Sequence, residues 1–131
     1  MRVSQLEIMS DKIDTNDTDA MILELCKIFN ADKGENIITL DMSPIYGYAS
    51  SFLIVTALSS VHLKKLTNDA MGFLKEQKIF MKIVPTQTDY ESGWVVLDCG
   101  GILVHIFLKE VRDLYNLEEL WVKAPQTSFT G

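Results

Sequence analysis

Few residues in this chain could do chemistry, and the strongest pair is Asp98 with His105. These two lie on apolar segments, Trp94 to Cys99 and Ile102 to Phe107, joined only by Gly100-Gly101. A Gly-Gly link allows positive φ at both positions and favours a tight hairpin. The register pairs Cys99 with Ile102 and makes Asp98 and His105 diagonal neighbours. A carboxylate-imidazole dyad can move a proton. No nucleophile stands beside it, because Cys99 points to the opposite face. Asp98 is then read as orienting the imidazole or capping the turn. Cys26 and Cys99 are far apart, form no Cys-x-x-Cys pair and read as two buried thiols in a reducing compartment. With His62 and His105 they show no zinc-ligand spacing.

Nucleotidyl transfer would require a Gly-Ser helix start for phosphates and two or three strand carboxylates for magnesium. No Gly-Ser pair precedes a helix here; Ser92-Gly93 has the reverse order and enters a strand. Asp17-Thr18-Asp19 is the one Asp-x-Asp and falls in a helix-capping region. Asp41 and Asp98 belong to different strands. The chain therefore reads as a non-enzyme without cofactor or metal. The rivals are a nucleotidyltransferase-like enzyme and an unrelated protein-interaction module.

Hydrophobic periodicity places the elements that must carry these residues. Met1 to Lys12 is weakly helical and Ile13 to Thr18 a turn or loose segment. Asp17 or Thr18 caps a helix to about Asn30, with Met21, Ile22, Leu25, Cys26, Ile28 and Phe29 on one stripe. Strands are expected at Ile37 to Met42 and Phe52 to Ala57, with a loop holding Pro44 and Gly47 between them. Ser59 or Ser60 caps a second helix to about Lys78, with Leu63, Leu66, Ala70, Phe73 and Leu74 inward. Phe80 to Val84 reads as a third strand, and Pro85 to Ser92 as a polar loop. Strand 52–57, helix 60–78 and strand 80–84 would make a parallel βαβ unit with a right-handed crossover. The expected fold is α/β: a single domain with a mixed five-stranded sheet and helices packed on it. Residues 1–18 form an N-terminal extension, 19–123 the domain and 124–131 a C-terminal tail.

The hairpin has two unlike faces. Val95, Leu97, Cys99, Ile102, Val104 and Ile106 form an apolar face that belongs in the core. The other face carries Trp94, Val96, Asp98, Leu103, His105 and Phe107. That mixture suits a partly covered surface or a protein interface. Alternatively, the C-terminal segment folds over it. In that segment Val111, Leu114 and Tyr115 make one helical turn, and Leu117, Leu120 and Trp121 another. Glu118 and Glu119 remain for solvent or a basic partner.

Composition narrows the classes further. The 131 residues carry 12 Lys+Arg and 18 Asp+Glu, a formal charge of −6, and 47% are apolar. This fits one globular domain. The acidic balance disfavours non-specific nucleic-acid binding and anionic membranes. Residues 61–82 go against it, with five bases and two acids; Lys64, Lys65, Lys75, Lys78 and Lys82 lie largely on the second helix and read as its solvated face. No signal-peptide or membrane-span pattern is found, so a cytoplasmic location is expected.

From Gly93 onward the chain resembles the ribosomal silencing factor S (Iojap-like) family. The family pattern is Gly-Trp-(aliphatic)₃-Asp-x-Gly-x-(aliphatic)₃-His-(aliphatic)-Phe, followed after a short gap by Arg-x-(aromatic or Leu)-Tyr-x-Leu-Glu-x-Leu-Trp. The matching residues are Gly93, Trp94, Asp98, Gly100, His105 and Phe107, then Arg112, Tyr115, Leu117, Glu118, Leu120 and Trp121. The match is looser back to the first long helix, through Asp41, Thr56 and Ser59-Ser60. Departures are Ser50-Ser51 where the family usually has Asp before Phe52, Ala57 for Gly, Gly101 for an acid, and Cys99 for an aromatic or Leu. The resemblance implies a nucleotidyltransferase-like fold without the catalytic residues. It implies a cytoplasmic repressor that binds the large ribosomal subunit through a basic partner, its fourteenth ribosomal protein. Such a factor blocks small-subunit joining when nutrients are scarce, and a homodimer is compatible with it. By position, Trp94, Asp98, Tyr115, Glu118 and Trp121 become the interface or its support, with His105 and Arg112 supporting. No sequence-specific nucleic-acid binding and no membrane contact are implied.

Overall fold

The computed structural model describes residues 18–42, 51–116, 119 and 124–129. The element order is α1 (Thr18–Ala31), β1 (Glu35–Asp41), β2 (Ser51–Ala57), α2 (Ser60–Glu76), α3 (Gln87–Ser92), β3 (Trp94–Asp98), β4 (Ile102–Leu108), α4 (Lys109–Tyr115) and β5 (Gln126–Ser128). The five strands form one mixed sheet in the order β3-β4-β2-β1-β5. Only β2 and β4 run parallel; the other neighbours are antiparallel. The expected early helix in 1–12, the turn at 13–17 and the loop with Pro44 and Gly47 lie outside the described residues.

The apolar stripes predicted for α1 and α2 face the core, with Ile22, Ile28 and Phe73 only half-buried. Met21, Leu25, Cys26 and Phe29 of α1 pack with Leu63, Leu66, Ala70 and Leu74 of α2. Together they cover one sheet face, to which β3 contributes Val95 and Leu97, and β4 contributes Val104 and Ile106. Ser59 caps α2 by accepting a hydrogen bond from the His62 N–H at 3.0 Å. The His62 ring then ties two loops together. Leu58 N–H donates to Nδ1 at 2.9 Å, and Nε2 lies 2.8 Å from the Asp32 carbonyl.

Both long helices stop in the same way. Gly34 N–H donates to Phe29 C=O and Lys33 N–H to Asn30 C=O; Ile79 N–H donates to Leu74 C=O and Lys78 N–H to Lys75 C=O. These pairs of bonds satisfy carbonyls that a helix end would leave open. The turn residues Lys33 and Lys78 take positive φ. Their positive charge lies near the negative end of the helix dipole. After α1 the chain must also pass close to β2, and a Cβ on Gly34 would sit 2.6 Å from a Val55 methyl.

The parallel unit differs from the sequence expectation. Phe80 to Val84 is not a strand; Ile83 makes one isolated antiparallel bridge to Asp98. The parallel partner of β2 is instead β4, with Leu53 opposite Val104 and Val55 opposite Ile106. Ile102–Leu108 is apolar on both faces apart from His105, which suits a central parallel strand. Lys82 interrupts the 80–84 run, whose Phe80, Ile83 and Val84 are exposed. The fifth strand comes from the C-terminal segment expected as a tail: Gln126–Ser128 pairs along β1. The loop expected at 85–92 contains α3. Thr86 and Asp89 form a reciprocal capping box there, and Gly93 closes the helix at φ 78. In the hairpin turn only Gly100 takes positive φ, at 82°, as a glycine first in a two-residue turn does.

Candidate functional site

The second face of the sheet is half a core. Ile38, Leu40, Met42, Phe52, Ile54, Phe107 and Ala124 are buried together there, with Trp94, Leu103 and Val111 packed at the margin. Both readings of the mixed face are therefore realised in different parts. Val111 of α4 and Ala124 pack over one part, and aromatics reach the surface at another.

Trp94 stands at this boundary. Gly93 turns the chain from α3 into β3, and a side chain on it would press against Leu108 and Val111. The indole is half-buried. Its ring centroid lies 4.9 Å from that of Phe107 and 4.9 Å from that of Tyr115. Its Nε1–H donates to His105 Nδ1 at 3.1 Å. Tyr115 is 52% exposed and Leu114 is 77% exposed. The end of α4 thus carries two exposed apolar side chains, of which Tyr115 lies against the indole. The sequence grouped Val111, Leu114 and Tyr115 on one helical turn; of these, Val111 packs against the core. Leu114 was missed as a surface residue because a seven-residue helix has one inward row, which Val111 and Arg112 fill.

Arg112 positions this helix. It is buried, and its Nη1 donates to Asn36 C=O at 2.7 Å and to Thr56 Oγ1 at 2.7 Å. One guanidinium therefore fixes α4 to β1 and β2, and through α4 sets Tyr115 against Trp94. Phe52, which the sequence did not single out, packs against His105 with ring centroids 4.7 Å apart and planes tilted by 57°. Its apolar, strand-opening position was the available signal.

The register predicted for the hairpin is observed, with Leu97 opposite Val104 and Asp98 opposite Leu103. Asp98 and His105 are diagonal, but the imidazole Nδ1 is held by Trp94. Burial pushes the His105 pKa down to about 4. Such an imidazole is neutral and a poor base near pH 7. With Nδ1 accepting, the proton sits on Nε2, a buried nitrogen without a partner among the described residues. Asp98 is only 2% exposed, and its carbonyl accepts from Lys82 N–H at 2.7 Å. Asp41 and Asp98 lie on β1 and β3, three strand spacings apart, about 14 Å, too far to share one magnesium ion. Glu118 and Trp121 lie outside the described residues.

The depressed His105 pKa carries a pH prediction. The unfolded imidazole takes up its proton near pH 6.5, whereas the folded one resists until about 4. Between those values the unfolded state holds more protons. Stability from this group is full above about pH 6.5 and is lost as pH falls toward 4, with a slope of up to about 1.4 kcal/mol per pH unit. Urea titrations from pH 7 to 4 should show this slope in the wild type and lose it in His105→Asn; equal slopes in both would contradict it.

The family profile described as "ribosomal silencing factor during starvation" matches residues 15–131. The chain belongs to the ribosomal silencing factor family. The ribosomal silencing factor of Chromobacterium violaceum is 35% identical over 89 residues, covering 68% of this chain and 71% of that protein. That of Halalkalibacterium halodurans is 34% identical over 100 residues, covering 76% and 83%. A crystal structure of a Chromobacterium violaceum protein superposes with a TM-score of 0.73 at 27% identity, covering 88% of this chain and 94% of that one. The mixed sheet with its packed helices is thus the architecture found in silencing-factor relatives. Among the described residues, no helix is long and apolar enough to cross a membrane.

Proposed function

We propose that the protein is a cytoplasmic translational repressor that docks on the large ribosomal subunit and blocks joining of the small subunit. Its partner is the basic fourteenth ribosomal protein, and its action is occlusion without a covalent step. The observation that carries this reading is the Trp94–Tyr115 ring pair at the margin of the mixed sheet face of a silencing-factor chain, with the exposed Leu114 next to Tyr115 in α4. Aromatic anchors of this kind commonly supply most of the energy of an interface. Glu118 and Trp121 extend the contact along the chain from α4, where an acid meets Lys or Arg on the partner and orients docking. Asp98, His105 and Arg112 act as support: all three are buried. Asp98 holds the 79–83 segment through its carbonyl, which accepts from Lys82 N–H, and the other two hold Trp94 and α4 in place.

Calorimetric titration with the purified ribosomal protein tests this surface. Leu114→Glu puts a charge on an exposed position and should leave circular dichroism unchanged. It is expected to weaken binding about tenfold. Unchanged affinity would contradict docking through the end of α4.

A further inference from the structure

The basic stretch at 61–82 occupies a different part of the molecule from the aromatic cluster. α2 packs its inward row on the sheet face opposite Trp94. Its outward residues fall into two rows. Lys65, Asp69 and Glu76 share one, and there the charges are matched: the Lys65 ammonium lies 3.0 Å from Asp69 and 3.7 Å from Asp32. Lys64 and Lys75, eleven positions apart, share the other row, about 16 Å apart along the helix. Lys78 follows at the helix end. Among the described residues, no ion pair within 4 Å includes Lys64, Lys75 or Lys78. The Lys64 ammonium lies 5.8 Å from the Tyr90 ring centroid, while the neighbouring acid Asp89 is engaged in capping α3.

Two residues beyond Lys78 comes Phe80, 79% exposed. The segment bearing it is tied on both sides. Ile79 N–H donates to Leu74 C=O at 2.9 Å, and Lys82 N–H to Asp98 C=O at 2.7 Å. The phenyl ring is thus presented by hydrogen-bonded backbone. Beside it runs a groove of about 490 Å³ lined by Ile79, Lys82, Asp98, Cys99 and Gly100. Both signs of charge meet in that groove, so phosphate contacts would fall to Lys64, Lys75 and Lys78.

We propose that Lys64, Lys75 and Lys78, with the exposed Phe80 two residues further on, form a second docking surface, for single-stranded RNA exposed on the large ribosomal subunit. This rests on the subunit-docking reading above for the source of the RNA. Lysines replace the counterions of the phosphate chain, and an exposed aromatic offers a stacking platform for a base. Together they give affinity without sequence readout. In a chain of net charge −6, a local basic row offsets the general repulsion from a polyanion.

The test uses the full chain and a fluorescent twelve-nucleotide oligouridylate. Three phosphate contacts should weaken binding about 20-fold between roughly 50 and 200 mM salt. Replacing Lys64, Lys75 and Lys78 together with Gln should weaken it about tenfold in low salt. The same charge change placed elsewhere, at Lys27, Lys33 and Lys109, should cost less than about twofold. Phe80→Ala should cost about fivefold or more. In sedimentation with large subunits, the Lys64, Lys75 and Lys78 variant should dissociate at lower salt than the wild type. No oligouridylate binding, equal loss in the two triple variants, or competition by polyglutamate as strong as by RNA would overturn the proposal. So would unchanged subunit binding by the first triple variant at every salt concentration. The oligonucleotide titration contains no ribosomal protein, and the Leu114 titration contains no RNA. Failure of one surface is therefore distinguishable from failure of the other.

Discussion

Trp94→Glu is expected to weaken docking on the large ribosomal subunit by about 2–4 kcal/mol, roughly 30- to 1,000-fold. The indole is the centre of the exposed cluster, with Phe107 beneath and Tyr115 beside it. A carboxylate there removes the anchor and puts a charge where the interface must be dry. The fold should survive, because the opposite sheet face with Val95 and Leu97 is a separate core. Circular dichroism and a urea midpoint must accompany the assay. Trp94→Phe separates the two roles. It keeps a ring against Tyr115 but loses the hydrogen bond to His105. It should lower stability by about 1 kcal/mol and cost less docking energy than the glutamate. Equal docking by wild type and Trp94→Glu, with both folded, would remove Trp94 from the interface.

Arg112→Met is expected to destabilise the fold by about 2–4 kcal/mol. The methionine fills much of the volume but donates nothing to Asn36 C=O or Thr56 Oγ1. Thr56 is buried, and there an unmet hydrogen bond costs more than a met one contributes. Adding Thr56→Val removes one stranded polar group, so the double variant should be less destabilised than the sum of the singles, by at least about 0.5 kcal/mol. Equilibrium urea unfolding reads all four corners of the cycle. A loss below about 0.5 kcal/mol for Arg112→Met would show that α4 is held by apolar packing alone. Docking should fall with stability in this variant, because the same helix carries Leu114 and Tyr115.

The hairpin was legible because its information is local. Gly100-Gly101 sets the turn, and the two-residue period then fixes which side chains share a face. The helical stripes of α1 and α2 were legible for the same reason. The sheet order was not, because pairing β2 with β4 depends on competition between distant segments. Ile102–Leu108 can be buried on both faces, whereas Phe80 to Val84 carries Lys82 and ends exposed. No side-chain pattern announces β5. Gln126, Thr127 and Ser128 are polar and exposed, and they join the sheet through backbone bonds to β1. The start of α3 did have a signal: Thr86 followed three residues later by Asp89, a variant of the capping box. In the site, residue types pointed to Trp94, Tyr115 and Arg112. Which of them are surface and which support depends on a half-covered face that only packing decides.

The central claim is occlusion of the large subunit through the Trp94 face. It is tested most directly by sedimenting mixed ribosomal subunits with the purified protein and with Trp94→Glu. The wild type should move with the large subunit and reduce the joined ribosome peak in proportion to its occupancy. The folded Trp94→Glu protein should remain at the top of the gradient and leave joining intact. Absence of wild-type protein from the large-subunit fraction, with subunits joining as they do without it, would contradict the claim.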